Sequence, residues 1–201
     1  MRIMVVGAIA GVAGAYLLGT FPTAQLVGRR VGHDPLREGS GNPGATNVYR
    51  TAGRAAGAAV LVGDAAKGAL PTVLALVTAG RGLATVCWLA AVLGHVAPVV
   101  RGLHGSRGGK GVATAAGGAI ALYPLEALVM FVVFVGVTKR TRVASLGSLA
   151  MALLLPVLVA VTGHPARESI GAAIVSMVVV ARHHRNIRRL LAGTEHRIPG
   201  G

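Results

Sequence analysis

Charge is what this chain has least of. Only 13% of its 201 residues are charged, and Asp and Glu together number 6, whereas soluble domains carry about 25% charged residues. That shortage excludes an ordinary water-facing surface. Aromatic residues make up 3%, so the belts that mark membrane interfaces are weak here. The single cysteine, Cys87, excludes an intramolecular disulfide and any cysteine-rich metal site. It lies in an apolar run and reads as a packed thiol. No serine sits in a G-x-S-x-G pattern, so a nucleophile-elbow triad has no support. What is present in excess is apolar: 53% hydrophobic residues and 30 glycines, with a mean hydropathy of +0.67. That composition fits helices packed through small residues. The expectation is an all-α integral membrane protein, one domain over 1–201.

A helix crossing the hydrocarbon needs about 20 apolar residues. Apolar stretches fall at about 3–28, 56–79, 83–100, 111–123, 125–138, 145–162 and 168–184. The first carries no convincing cleavage site and reads as a retained span. The fourth and fifth are short and meet at Tyr123-Pro124, as two thin spans or a re-entrant hairpin; seven spans is the favoured count. Of the 20 Lys and Arg residues, sixteen then fall on one side. Only Arg2, Arg81 and Arg167 fall on the other, and Lys67 lies inside the second span. The positive-inside rule places the N-terminus outside and the C-terminus in the cytoplasm. Topology and anionic headgroups account for the formal charge of +14 without nucleic acid.

Three polar islands share the basic side. They are REGSGNPGATNVYR at 37–50, GHVAPVVRGLHGSRGGKGVAT at 94–114 and RHHRNIRRLLAGTEHR at 182–197. Glycine lets backbone N–H groups approach an anion, and a following helix start adds partial positive charge. Arginine and lysine supply the counter-charge. Such a set suits phosphate. GSRGGKG is not a P-loop: Gly105 to Lys110 is one residue short of the pattern and Gly111 follows the lysine. Asp64 and Lys67 fall within the second span at i, i+3 on one helical face. They read either as a functional pair or as a self-neutralising structural one.

GSGNPGATNVYR, GHVAP with GGKGVAT, and HRNIRRLLAGTE occur in that order, with YLLGTFPTAQLVGR, DAAKGALP and SLGSL around them. Together they resemble the bacterial membrane glycerol-3-phosphate acyltransferases that use acyl-phosphate as donor, the PlsY family. The third motif of that family is close to H-x-x-N-I-x-R-L-x-x-G-x-E. The resemblance spans nearly the whole chain and implies a seven-helix membrane enzyme of phospholipid synthesis in the cell membrane, its site facing the cytoplasm. It implies acyl transfer from acyl-phosphate to the 1-hydroxyl of sn-glycerol 3-phosphate, giving lysophosphatidic acid and phosphate. No metal or organic cofactor is implied, acyl-CoA and acyl carrier protein are not donors, and a monomer can work, the oligomeric state being left open.

Carried over by motif, Ser40, Arg50 and Lys110 hold phosphate groups, with Ser145 or Ser148 assisting. Asn42 and Asn47 hold the first loop's shape or hydrogen-bond the glycerol. Asn186 and Lys110 stabilise charge growing on the attacked carbonyl oxygen, and His183, Arg188 and Glu195 shape the pocket from the third motif. His95 and His183 are candidate bases. Because the donor carries a good leaving group, the preferred acceptor of the hydroxyl proton is a substrate phosphate oxygen. The H-x-x-x-x-D pair of other glycerolipid acyltransferases is absent: Asp34 and Asp64 are the only aspartates, with Arg29 and Ala59 where histidine is needed. His33 and Glu38 match H-x-x-x-x-E and read as coincidence. The link VVRGLHGSR, with His104 and Ser106, is longer than the family's aromatic-rich version and bears on the lining of the acyl entrance. Pro43 stiffens the first loop. The rival classes are an anion transporter, supported by Asp64 and Lys67, and a lipid-binding scaffold. Phosphate release from acyl-phosphate that depends on glycerol 3-phosphate separates both from the enzyme.

Overall fold

The computed structural model describes residues 2–99 and 108–198, residue 3 by its backbone only. Arg101, His104, Ser106 and Arg107 of the second island lie outside the described residues. Among the described residues all regular structure is helical. The helices form two compact units, divided between Leu122 and Tyr123.

The first unit holds α1 (Arg2–Gly19), α2 (Thr23–Arg30), α3 (Ala45–Ala79), α4 (Arg81–Val96) and α5 (Val112–Leu122). The expected first span over 3–28 is two helices. The chain leaves the first at Thr20, and Pro22, which has no N–H to continue a ladder, stands at the N-cap of the second. The second expected span, 56–79, starts eleven residues sooner, at Ala45, inside the first motif. Gly53 breaks its geometry with φ of 88°, so the motif's helical end is set at an angle to the membrane-long remainder. That remainder rises ~39 Å, more than the ~30 Å hydrocarbon needs. By length and composition, residues Met4–Arg30, Ala45–Ala79 and Ala144–Val161 suffice to cross a membrane, and α4 and α5 are shorter apolar helices. At 11 residues, α5 rises only ~16 Å.

Close approach through small residues builds this unit. A Cβ on Gly68 would overlap the Thr114 carbonyl, and one on Gly117 would overlap that of Ala65, so α3 and α5 touch backbone to backbone. Gly19 and Gly94 let α1 and α4 meet in the same way. This is the small-residue packing expected where lipid gives no hydrophobic drive between helices. Trp88 fills the centre, fully buried, its Nε1–H donating to the Ala115 carbonyl at 3.0 Å. Tyr16 Oη donates to the Ala97 carbonyl at 2.6 Å, and Arg81 Nη2 to that of Leu122 at 3.0 Å, tying helix ends together.

The second unit holds α6 (Pro124–Thr141), α7 (Ala144–Val161), α8 (Ala166–Arg182) and α9 (His184–Leu191). Pro124 occupies the first turn of α6, where a missing N–H costs nothing. The helices pack in chain order, and Ile198 N–H donates to the Arg142 carbonyl, returning the C-terminal segment to the α6–α7 turn. At the opposite end of α7, His164 Nε2 lies 3.0 Å from Glu126 and its Nδ1 3.7 Å from Glu168. Both carboxylates sit in the first turns of their helices, where the macrodipole favours negative charge. Tyr123 meets the His164 ring edge-on at 4.9 Å. Outward faces such as Leu70, Leu74 and Val77 of α3 and Leu128, Phe131 and Val132 of α6 are exposed and apolar, as lipid contact requires.

Candidate active site

The first motif is a tight loop pinned by one side chain. Asn47, in the first turn of α3 and 2% exposed, accepts from the Ser40 N–H at 2.8 Å and the Ser40 hydroxyl at 3.1 Å. Its amide donates to the carbonyls of Pro35 and Glu38, both at 3.0 Å. Oδ1 thus takes two bonds and Nδ2 gives two, so the amide's capacity is filled by the loop. Gly39 must be glycine for two reasons: its φ is +59°, and a Cβ there would overlap Asn47 Oδ1. Arg50 follows Asn47 by three residues, on the same helical face, and is half-buried. Asn42 lies over the start of α3, where a Cβ on Gly44 would meet its Nδ2 at 2.9 Å.

His33 and Glu38, whose match to H-x-x-x-x-E reads as coincidence, are hydrogen-bond partners within the loop. His33 Nδ1 and Glu38 Oε2 are 2.7 Å apart, while Glu38 Oε1 accepts from the Asp34 N–H at 2.7 Å. The backbone bond from Asp34 first, then the His33 bond, hold the Glu38 carboxyl below its ordinary value. The pair folds the loop over 33–38 back on itself.

In the second motif Gly108 and Gly109 are buried, and Lys110 is half-buried just before Gly111, which opens α5. Gly111 has φ of +81°, and its carbonyl accepts from the Ala115 N–H at 2.8 Å. Beside this segment lies a shallow cleft, lined among others by Phe21, Pro43, Lys67, His95, Gly108 and Gly109. Asp64 and Lys67 do form an ion pair, at 2.7 Å, both almost fully buried. Sequence reasoning treated that pair and His95 apart, since only tertiary packing joins them.

The third motif centres on Glu195, whose side chain is 5% exposed. Its Oε1 accepts from Asn186 Nδ2 at 2.6 Å and from the Ser145 hydroxyl at 3.1 Å; its Oε2 accepts from Arg189 Nε at 2.7 Å. Burial pushes this carboxyl up, but the bonds from Arg189, Asn186 and Ser145 outweigh it and leave it below its ordinary value. The arginine on Glu195 is Arg189, the one the motif's own spacing from His183 singles out, and Arg188 is exposed. His183, 1% exposed, donates from Nδ1 to the Val179 carbonyl at 2.8 Å. In the neutral ring that leaves Nε2 as the acceptor nitrogen. Of the two serines, Ser145 joins the Glu195 cluster and the Ser148 hydroxyl donates to the Ala144 carbonyl at 3.0 Å. Among the described residues no group of histidine, cysteine, aspartate and glutamate is placed to hold a metal.

Apolar helices of this length, lipid-ready outer faces and polar loops stiffened by glycine define a helical integral membrane protein. A family model described as glycerol-3-phosphate acyltransferase matches residues 9–193. Glycerol-3-phosphate acyltransferases of Trichlorobacter lovleyi and Syntrophotalea carbinolica are each 45% identical to the chain. The matches cover 92% of this chain and 94% of the first relative, and 91% and 93% for the second. Two crystal structures of PlsY (YgiH), an integral membrane glycerol 3-phosphate acyltransferase, superpose at 37% identity over 96% of both chains. The TM-scores are 0.91 for the glycerol 3-phosphate form and 0.89 for the lysophosphatidic acid form. The chain belongs to the glycerol-3-phosphate acyltransferase family.

Proposed function

We propose that the protein transfers a fatty acyl group from acyl-phosphate to the sn-1 hydroxyl of glycerol 3-phosphate. The hydroxyl oxygen attacks the acyl carbonyl, the bond from that carbon to phosphate breaks, and lysophosphatidic acid and phosphate leave. The observation that carries the reading is the likeness, over 96% of both chains, to a structure whose glycerol 3-phosphate and lysophosphatidic acid forms are both solved. Those two molecules are the acceptor and product of this reaction. The family match over 9–193 runs through both helical units, which supports treating 1–201 as one functional domain.

Ser40, Arg50 and Lys110 are assigned to substrate phosphate, with Asn42 beside them and Asn47 holding Ser40 in place. Lys110 and Asn186 are assigned to the negative charge that grows on the carbonyl oxygen, where removing one donor costs about 10² to 10³ in rate in other enzymes. Glu195 aims the Asn186 amide and Ser145, and His183 and Ser148 belong to the same motif-bearing helices. Arg188, exposed, supplies long-range positive charge. A substrate phosphate oxygen takes the hydroxyl proton. His95 is unsuited to that task, because its Nδ1 accepts from the Lys67 ammonium at 3.4 Å.

The basic residues support seven spans with the N-terminus outside and the polar loops in the cytoplasm, where a soluble phosphorylated acceptor is available. No cofactor is required by the chemistry, and a monomer can work. The test is acyl transfer by purified protein in lipid, with acyl-phosphate, acyl-CoA and acyl carrier protein offered separately. Lysophosphatidic acid forms from acyl-phosphate alone and falls at least ~10²-fold in Lys110→Ala. Product from acyl-CoA overturns the donor; no product from any donor overturns the enzyme.

A further inference from the structure

Lys67 is buried in a helix core, 4% exposed, yet it is not merely neutralised. An ammonium has three hydrogens, and this one meets one charge partner and two hydrogen-bond acceptors. They are Asp64 Oδ1 at 2.7 Å, the Phe21 carbonyl at 2.7 Å and His95 Nδ1 at 3.4 Å. A self-neutralising pair needs only the first. The second is the carbonyl at the break between α1 and α2, which also accepts from the Thr23 N–H at 3.0 Å, and the third is the imidazole at the C-terminal end of α4. Asp64 Oδ1 is 3.8 Å from His95 Nδ1, too long for a hydrogen bond, so of the ion pair it is Lys67 that holds the ring. Because Nδ1 accepts, the hydrogen of the neutral ring is on Nε2.

That edge of the ring faces the second motif. A Cβ on Gly109 would overlap His95 Nε2, and one on Gly108 would overlap the Val96 carbonyl. The two glycines therefore lie directly against the end of α4 whose imidazole Lys67 orients. Lys110 follows at once, and Gly111 then turns into α5. Phe21, Lys67, His95, Gly108 and Gly109 all border the same cleft.

We propose that Lys67, with Asp64 and His95, is a positioning relay for the second motif: it sets the His95 ring against Gly108–Gly109 and so places the Lys110 ammonium. This rests on the phosphate-holding role assigned to Lys110 above. A misplacement of about 1 Å costs up to ~10²-fold in rate, so a loosened loop affects substrate use well before the fold is lost.

The test uses the full chain in lipid and the variants Lys67→Met, Lys67→Arg, His95→Leu and His95→Gln. Two quantities are read: KM for glycerol 3-phosphate with kcat per folded molecule, and hydrogen–deuterium exchange of the Gly108–Gly111 amides. Lys67→Met and His95→Leu raise KM by about tenfold or more and speed exchange at Gly108–Gly111, while the amides of Ala115–Leu122 keep wild-type rates. His95→Gln, which keeps an N–H near the Nε2 position, recovers most of both. Should Lys67→Met fail to fold, Lys67→Arg and the His95 pair decide alone. Unchanged KM with less folded protein, or exchange that rises only in α3 and α4, reduces the relay to structural support and overturns the proposal. If wild-type protein forms no lysophosphatidic acid, the assigned reaction fails, and the exchange measurement still decides the relay.

Discussion

At the scale of single residues, two amino acids hold the motif loops by saturating their own hydrogen bonds. Asn47 closes the first loop with four bonds, a set that no hydrophobic or hydroxyl side chain reproduces. Asn47→Ala leaves the Ser40 N–H and two carbonyls without that partner, at roughly 1–3 kcal/mol for each one that stays buried. The expected result is a clear fall in thermal midpoint in detergent, with the same direction for Gly39→Ala. An unchanged midpoint means the loop is held elsewhere. Glu195 makes a pH-dependent version of the same argument. Its folded value lies below the ordinary 4.5, so the native state binds fewer protons than the unfolded chain, and stability rises with pH in that range. The contribution is complete above about pH 5 and is lost as pH falls through 4.5 toward the depressed folded value. Glu195→Gln therefore lowers the midpoint at pH 7 and flattens its decline below about pH 4.5. Parallel curves for the two proteins would rule out this linkage.

At the scale of elements, glycine separates two physical situations. Gly117 lies where α5 meets the Ala65 backbone, and any side chain drives the helices apart. Gly136, in α6, faces open space: a Cβ placed there would meet nothing within 4 Å. Gly117→Leu is expected to destabilise by about 1–3 kcal/mol or more, as overpacking does. Gly136→Ala is expected to be neutral or to stabilise by up to ~1 kcal/mol through helix propensity. Thermal midpoints of the two variants, measured side by side, decide; equal effects contradict the backbone contact. The same elements explain what was legible beforehand. Apolar runs located α4, α6, α7 and α8 to within a few residues, because hydropathy reports burial in lipid directly. The break at Thr20–Pro22 was hidden by apolar residues on both sides. The start of α3 at Ala45 was hidden by Arg50 and Arg54, which read as loop when helix and span are equated. Spacing revealed Asp64 with Lys67, since i, i+3 is local geometry. It did not join His95, nor did it show that a looped-back turn brings His33 and Glu38 into contact.

At the scale of the whole molecule, the shortage of charge and its distribution are one statement about the membrane. With 13% charged residues and a formal charge of +14, the proposed seven-span topology puts most of the cations on one side of the membrane. On that topology, anionic headgroups and the positive-inside bias favour the proposed orientation, with the basic side in the cytoplasm. The same topology puts the motifs proposed to handle phosphate on the side of the cations, so the proposed orientation and the proposed chemistry are tested together. The native cysteine makes this testable: Cys87 is 1% exposed, so Cys87→Ala gives a silent background. Into it go single cysteines at exposed positions, Arg37→Cys and Lys139→Cys on the proposed basic side, Ala79→Cys and Arg167→Cys on the other. A membrane-impermeant maleimide added to intact cells is expected to label positions 79 and 167 only. Inverted vesicles are expected to label 37 and 139 only. The reverse pattern turns the protein over, and with it the cytoplasmic supply of glycerol 3-phosphate to Ser40, Arg50 and Lys110. Labelling of 79 and 37 from one side removes the crossing by α3 and with it the seven-span count.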